Sequence, residues 1–156
     1  MENRNCFLTF FNSIYDILIN SKKPKVSKYD EYFYNEKSTN WTYKEFVNNF
    51  FDNLARMEPE KSTVLCAFIY LDRILNANRK LLKRQNLLRL ITISIILSHK
   101  YNEDIVFTDK CYCEVLGIDM NMFLSLEIIF CEMINYRFYI SDKTFLSYNN
   151  CLIALK

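Results

Sequence analysis

Residues 87–97 read LLRLITISIIL and are apolar on every face a helix would present. A helix with no solvent side belongs at the centre of a helical domain, covered all round by other elements. The run is too short, and too interrupted by Arg89, Thr92 and Ser94, to span a membrane, which takes about 20 apolar residues. It ends abruptly at His99, Lys100 and Tyr101, followed by the polar Asn102-Glu103-Asp104. A buried helix that reaches the surface on a lysine is the first place to look for function.

Everything else about the chain favours helices around that centre. There is one glycine and there are two prolines, whereas sheet proteins use many Gly and Pro turns. Hydrophobic residues make up 51%, which excludes the weakly hydrophobic, highly charged composition of a disordered chain. A formal charge of +2 is too small to indicate a phosphate-binding surface by itself. Glu2 precedes the first apolar stretch and Asp16 interrupts it, unlike a secretory signal. The expectation is a soluble protein of the cytoplasm and/or nucleus with no membrane contact, its six cysteines reduced.

In chain order, Phe7, Phe10, Phe11, Ile14 and Leu18 form one stripe of an amphipathic helix. Residues 20–41 lack that period and read as a connector, so residues 1–41 are an N-terminal helix plus connector and 42–156 the main domain. Thr42-x-x-Glu45 is a capping box, opening a helix with the stripe Tyr43, Phe46, Val47, Phe50, Leu54 and Met57. Pro59 occupies an expected first helical position. The next helix, to about Asn76, carries Asp72 on the face of Leu65, Phe68, Ile69 and Leu75. A buried carboxylate needs a partner. In an antiparallel hairpin with the central helix, Arg89 lies at the same height, so an Asp72–Arg89 pair is expected. Thr108 caps a short helix with Phe107 and Tyr112 as a staple, and Gly117 is placed for a left-handed stop. Asp119 caps a helix with the stripe Met120, Phe123, Leu124, Glu127, Cys131 and Ile134, again interrupted by an acid. Ser141 starts a last helix, with Ile140 and Phe145 as its staple.

Several of these segments occur together in a known order. Val64 to Ile74, VLCAFIYLDRI, resembles the second helix of a cyclin box, and Asn86-Leu87-Leu88-Arg89-Leu90 resembles the Asn-x-His-Arg-Leu that opens the third. Ser98-His99-Lys100-Tyr101 is similar to the Ala-x-Lys-Phe that closes it, and Tyr112 to Ile118, YCEVLGI, to the Tyr-x-x-Val-Gly-Gly-Ile of the P/U-type cyclins, the single-box type first associated with phosphate signalling. Leu124-Ser125-Leu126-Glu127 resembles the Leu-x-x-Leu-Glu of the fifth helix, and Tyr136-Arg137-Phe138 its exit. Ser98, Leu88 and Leu116 depart from the pattern, and the Met-Arg-x-x-Leu start of the first box helix is absent, so the substrate-docking patch it helps form in mitotic cyclins is not implied.

The resemblance implies an all-α fold, a single five-helix cyclin box with an extra N-terminal and a C-terminal helix. It implies no catalysis and no cofactor, but a regulatory subunit that binds and activates a cyclin-dependent protein kinase by holding its αC helix in the active position. Two family anchors, a lysine closing box helix three and a glutamate in helix five, fall on Lys100 and Glu127, with Leu97, Tyr101, Tyr136 and Phe138 around them. Spacing alone makes Lys100 a helix-end lysine that complements the dipole and Glu127 a core acid; only the joint match assigns them to binding. Asp72 and Arg89 are assigned to structure, and Arg73 to solvent or an intradomain partner.

Other chemistry is poorly supported. His99 is the single histidine, with no catalytic dyad around it. Cys111-x-Cys113 lacks the gap typical of zinc knuckles, so a zinc site made with His99 is the lesser reading and ordinary apolar roles the greater. The alternative function is a cyclin-like fold of a transcription factor that binds basal factors or DNA. It would use the basic clusters Lys22, Lys23, Lys25, Lys28 and Arg79, Lys80, Lys83, Arg84, the second of which reads more simply as a solvated turn. Nucleic acid is therefore not the expected partner.

Overall fold

The computed structural model describes residues 2–20 and 26–154. Among these described residues, eight α-helices follow in order: α1 (Glu2–Asn20), α2 (Asp30–Phe33), α3 (Tyr43–Met57), α4 (Lys61–Ala77), α5 (Arg84–Asn102), α6 (Asp109–Leu116), α7 (Met120–Met133) and α8 (Asp142–Ala154). Short 3₁₀ turns occupy Glu36–Asn40 and Arg79–Leu81. No strand occurs among the described residues. The fold is all-α, and α5 is its axis. Every residue from Leu90 to His99 is buried, covered by α2, α3, α4, α6, α7 and the Glu36–Asn40 turn. Two of its buried hydroxyls find acceptors locally and across the hairpin: Ser94 Oγ donates to Ile91 O at 2.7 Å and Ser98 Oγ to Thr63 O at 2.7 Å. Buried hydroxyls without such acceptors would each cost about 1–3 kcal/mol.

Helix boundaries follow local chemistry. Thr42 and Glu45 form the reciprocal capping box on α3. Thr108 and Asp119 accept from Cys111 N and Met122 N at the starts of α6 and α7. Gly117 ends α6 at φ 66°, and Ile118 N donates back to Cys113 O at 3.2 Å, the closure that needs a left-handed residue. Pro59 is not the first residue of α4. The helix starts at Lys61 with Glu60 as its N-cap, because Glu58 takes the left-handed conformation that ends α3 and Pro59 follows it, where it blocks continuation.

Residues 26–41 are more ordered than a plain connector. Asp30 pairs with the buried Lys83 and accepts from Asn86 Nδ2 at 2.9 Å. Asn35 N donates to Gln85 O at 2.7 Å, and Ser38 Oγ to Arg84 O at 3.2 Å. This segment thus covers the first turns of α5. It also takes Arg89: its Nη1 donates to Tyr32 O at 3.0 Å, and the expected Asp72–Arg89 pair is not formed. Asp72 is exposed, accepting from Asn76 Nδ2 and from the Tyr148 hydroxyl on α8. The two side chains share a height in the hairpin but leave it in different directions, which spacing from the turn does not encode. Arg73 acts inside the domain, its Nη1 donating to Arg137 O at 2.7 Å and Tyr139 O at 3.3 Å.

Candidate functional site: the emergent end of the central helix

The last turns of α5 bring three elements together. His99 is buried and both ring nitrogens are used: Nε2 lies 2.9 Å from Glu103 Oε2, and Nδ1 lies 2.8 Å from the Tyr112 hydroxyl. With the carboxylate accepting from Nε2–H, Nδ1 is left to accept from Tyr112. Tyr112 is itself buried in α6 and accepts from Phe107 N at 3.3 Å; burial pushes its phenol pKa up. Glu103 Oε1 accepts from Glu60 N at 3.0 Å. This relay ties the start of α4, the end of α5 and the body of α6 into one corner. That leaves His99 no lone pair for a metal. Among the described residues no group of three His, Cys, Asp or Glu side chains could hold one; Cys113 is buried and Cys111 exposed.

The same corner aims Lys100. Its Nζ donates to Glu127 Oε1 on α7 at 2.6 Å and to Asp109 Oδ1 at the start of α6 at 2.8 Å. It also lies 5.5 Å from the centroid of the buried Phe123 ring, a geometry in which the ring face attracts a cation. The side chains of Lys100, Glu127 and Asp109 are 30%, 16% and 38% exposed. Partial burial works to lower the ammonium's pKa, but the hydrogen bonds and charges of Asp109 and Glu127 outweigh it and raise it. One N–H of Lys100 and one oxygen of each carboxylate stay available, so the cluster can both donate to and accept from a docking backbone.

Apolar side chains are left uncovered beside this cluster. Tyr101 is 55% exposed and stacks on Phe138 at 5.1 Å. Phe138 is half-buried against Tyr70, whose hydroxyl donates to Phe138 O at 2.8 Å. Tyr136 is 65% exposed at φ 56°, where few non-glycine residues sit. The turn is held by Tyr136 N donating to Cys131 O at 2.8 Å. Leu97 lies 6% exposed, beneath the surface rather than on it. On α7 the buried face is Phe123, Leu126, Phe130 and Met133, rotated from the stripe read in the sequence. Met120 and Leu124 of that stripe are exposed, as is Ile128. Glu127 is flanked by Leu124 and Ile128, an uncovered apolar row on its own helix. Asp109, Leu124 and Ile128 thus join the site unannounced by the sequence reading. Asp109 gave a signal only as an acid in a first helical turn, Leu124 read as part of the core stripe, and Ile128 lay outside that stripe.

The basic clusters are only partly available. Arg79 and Lys80 are exposed, but Lys83 is buried on Asp30, and Arg84 Nη1 donates to Trp41 O at 3.1 Å. Lys22, Lys23 and Lys25 lie outside the described residues. No helix among the described residues is long and apolar enough to cross a membrane.

Comparison with known proteins places this architecture. Residues 42–138, from the α3 cap to the aromatic turn after α7, match the family described as Cyclin. Cyclin-P2-1 of Oryza sativa subsp. japonica is 29% identical over 98 residues, which cover 63% of this chain and 44% of the relative. The chain therefore spans less than half the length of that relative. With the motif order, the helical fold and both comparisons in agreement, the chain belongs to the cyclin family as a cyclin-box protein of the P/U type.

Proposed function

We propose that this chain is a non-catalytic regulatory subunit that binds a cyclin-dependent protein kinase and holds its αC helix in the active position. The observation that carries the reading is the Lys100–Glu127 pair at the C-terminal end of α5, where the helix leaves the core, together with the uncovered Leu124, Ile128, Tyr101 and Tyr136. A paired charge amid exposed apolar side chains suits an interface: the apolar rim supplies association free energy and the polar atoms fix register. Kinase activity is gated by the position of an αC glutamate that pairs with an ATP-positioning lysine. A subunit that binds only the inward position of αC shifts the population toward it.

The test is binding of the purified chain to a panel of recombinant cyclin-dependent kinase catalytic chains, with its variants measured on the kinase that binds. Lys100→Ala and Glu127→Ala should weaken binding by about 2–5 kcal/mol, the usual range for truncating a buried polar anchor. Tyr136→Gly is a sharper variant. It places glycine where the backbone is already left-handed, so folding stability should stay within about 1 kcal/mol, while loss of the exposed ring weakens the complex. Parent-like binding by all three variants would place docking elsewhere. A salt-dependent shift with duplex DNA and no kinase binding would favour the transcription-factor reading.

A further inference from the structure

A second surface lies where α1, α4 and α8 leave a groove of about 270 Å³. Its walls are two helical rows. Ile14 and Ile17 line it from α1, and Leu71 and Leu75 from α4, each pair at the spacing that keeps side chains on one helical face. Phe10 and Phe68 line it too and stack at 3.9 Å between ring centroids, nearly parallel. This fixes α1 against α4 and keeps the groove formed. Ile17 remains 58% exposed although it lines the groove. The groove is therefore an open channel rather than a closed cavity.

One rim carries two opposite charges. Asp72 is oriented by Tyr148 and Asn76, both of which donate to its Oδ2; among the described residues its Oδ1 has no partner. Arg79, in the 3₁₀ turn after α4, lines the same groove, and its side chain makes no hydrogen bond or ion pair among the described residues. The two stand on either side of the end of α4 at Ala77, with the non-helical Asn78 between them, and do not pair with each other.

We propose that this groove docks an amphipathic helix of a partner protein, one whose apolar row fills the channel. Along its flank the helix carries a basic residue facing Asp72 and, farther along, an acidic residue facing Arg79. A helix laid between two helices engages them through apolar anchors at i, i+3, i+4 and i+7, which matches the paired rows here. The opposite charges along the rim make one orientation of that helix favourable and the reverse unfavourable. A second copy of the chain does not fit as well: two concave grooves face to face leave the channel empty.

The test is selection from a displayed library of amphipathic helices, panned on the full chain, with one apolar row held constant and the flanking positions drawn from Lys, Glu and Ser. Enriched sequences should carry a basic position toward one end of the flank and an acidic position toward the other. The best peptide, measured by fluorescence anisotropy, should bind at least about tenfold more weakly to Leu75→Arg. It should bind several-fold more weakly to Asp72→Arg or Arg79→Glu, surface variants that leave the core intact and are checked by circular dichroism. The double variant Asp72→Arg with Arg79→Glu should prefer the peptide with its two charges exchanged. The proposal is overturned if no helix is enriched, if enriched helices lack the charge order, if the charge swaps leave binding unchanged, or if the chain self-associates through this face and excludes the peptide.

Discussion

Glu127 and Asp72 are both carboxylates set into apolar helical stripes, on α7 and α4, yet the fold treats them differently. Glu127 stays half-buried and holds Lys100 at 2.6 Å, with Asp109 on the other side of the ammonium. Asp72 turns outward, takes hydrogen bonds from Tyr148 and Asn76, and lines an open groove. An acid in an apolar stripe therefore has two physical solutions. A cation can be brought to it from another element, or the helix can turn so that the acid meets solvent. The first solution makes a preformed polar cluster at the end of a rigid helix. The second leaves a charge on a rim, where it can select a partner's orientation while contributing little to folding.

The largest effect that would break this contrast is expected at Phe123, the buried ring under the Lys100 ammonium. If the cluster rests on the core, Phe123→Ala should destabilise by about 4 kcal/mol in denaturant unfolding, the range for emptying a buried aromatic site. A cost under about 1 kcal/mol would mean that α7 is not packed as described. Glu127→Ala should follow at about 1–2 kcal/mol, since it removes a charge-assisted hydrogen bond from a mostly covered site. Asp72→Ala should cost below about 0.5 kcal/mol, as surface substitutions do. A loss near 3 kcal/mol, the penalty for orphaning a buried partner, would restore the rejected pair with Arg89.

The smallest effect concerns tyrosines in the two regions. Burial first, and then a hydrogen bond to the Asp72 carboxylate, push Tyr148 up to about 12. Burial also pushes Tyr70, behind the aromatic turn, up to about 12. Both bind their proton more tightly in the folded chain than in the unfolded one. Their contribution to stability is thus complete below pH 10, the ordinary tyrosine value, and is lost as pH rises toward 12. Ultraviolet titration should find Tyr70 and Tyr148 among the late-ionising phenols. Asp72→Asn should bring Tyr148 down and leave Tyr70 in place. Equal movement of both would show that the two regions are not independent.

What could be read from the sequence was what short-range chemistry decides. The Thr42 box, the Thr108 and Asp119 caps and the Gly117 stop depend on residues within a turn of one another, and each stands where its spacing put it. The central position of α5 followed from its composition. The pairing of Asp72 with Arg89 failed because height along a hairpin says nothing of the direction in which a side chain leaves it. The residue that took Arg89, Tyr32, sits in a segment without period. The stripe on α7 was misjudged for a different reason. Met120 and Leu124 belong to that stripe but face outward, and periodicity cannot tell a row covered by the domain from one left for a partner. Asp109 meets Lys100 from another helix, a contact that depends on tertiary packing.

The most direct test of the account compares the two regions in one assay of kinase activation. The chain and a cyclin-dependent kinase catalytic chain that binds it are mixed below saturation, phosphorylation of a peptide substrate is followed, and melting curves are recorded beside it. Lys100→Ala should lower activation by about 30-fold or more with the fold retained, while Asp72→Ala stays within about twofold of the parent. Parent-like activation by Lys100→Ala, from a folded protein, would contradict the assignment of kinase docking to the end of the central helix.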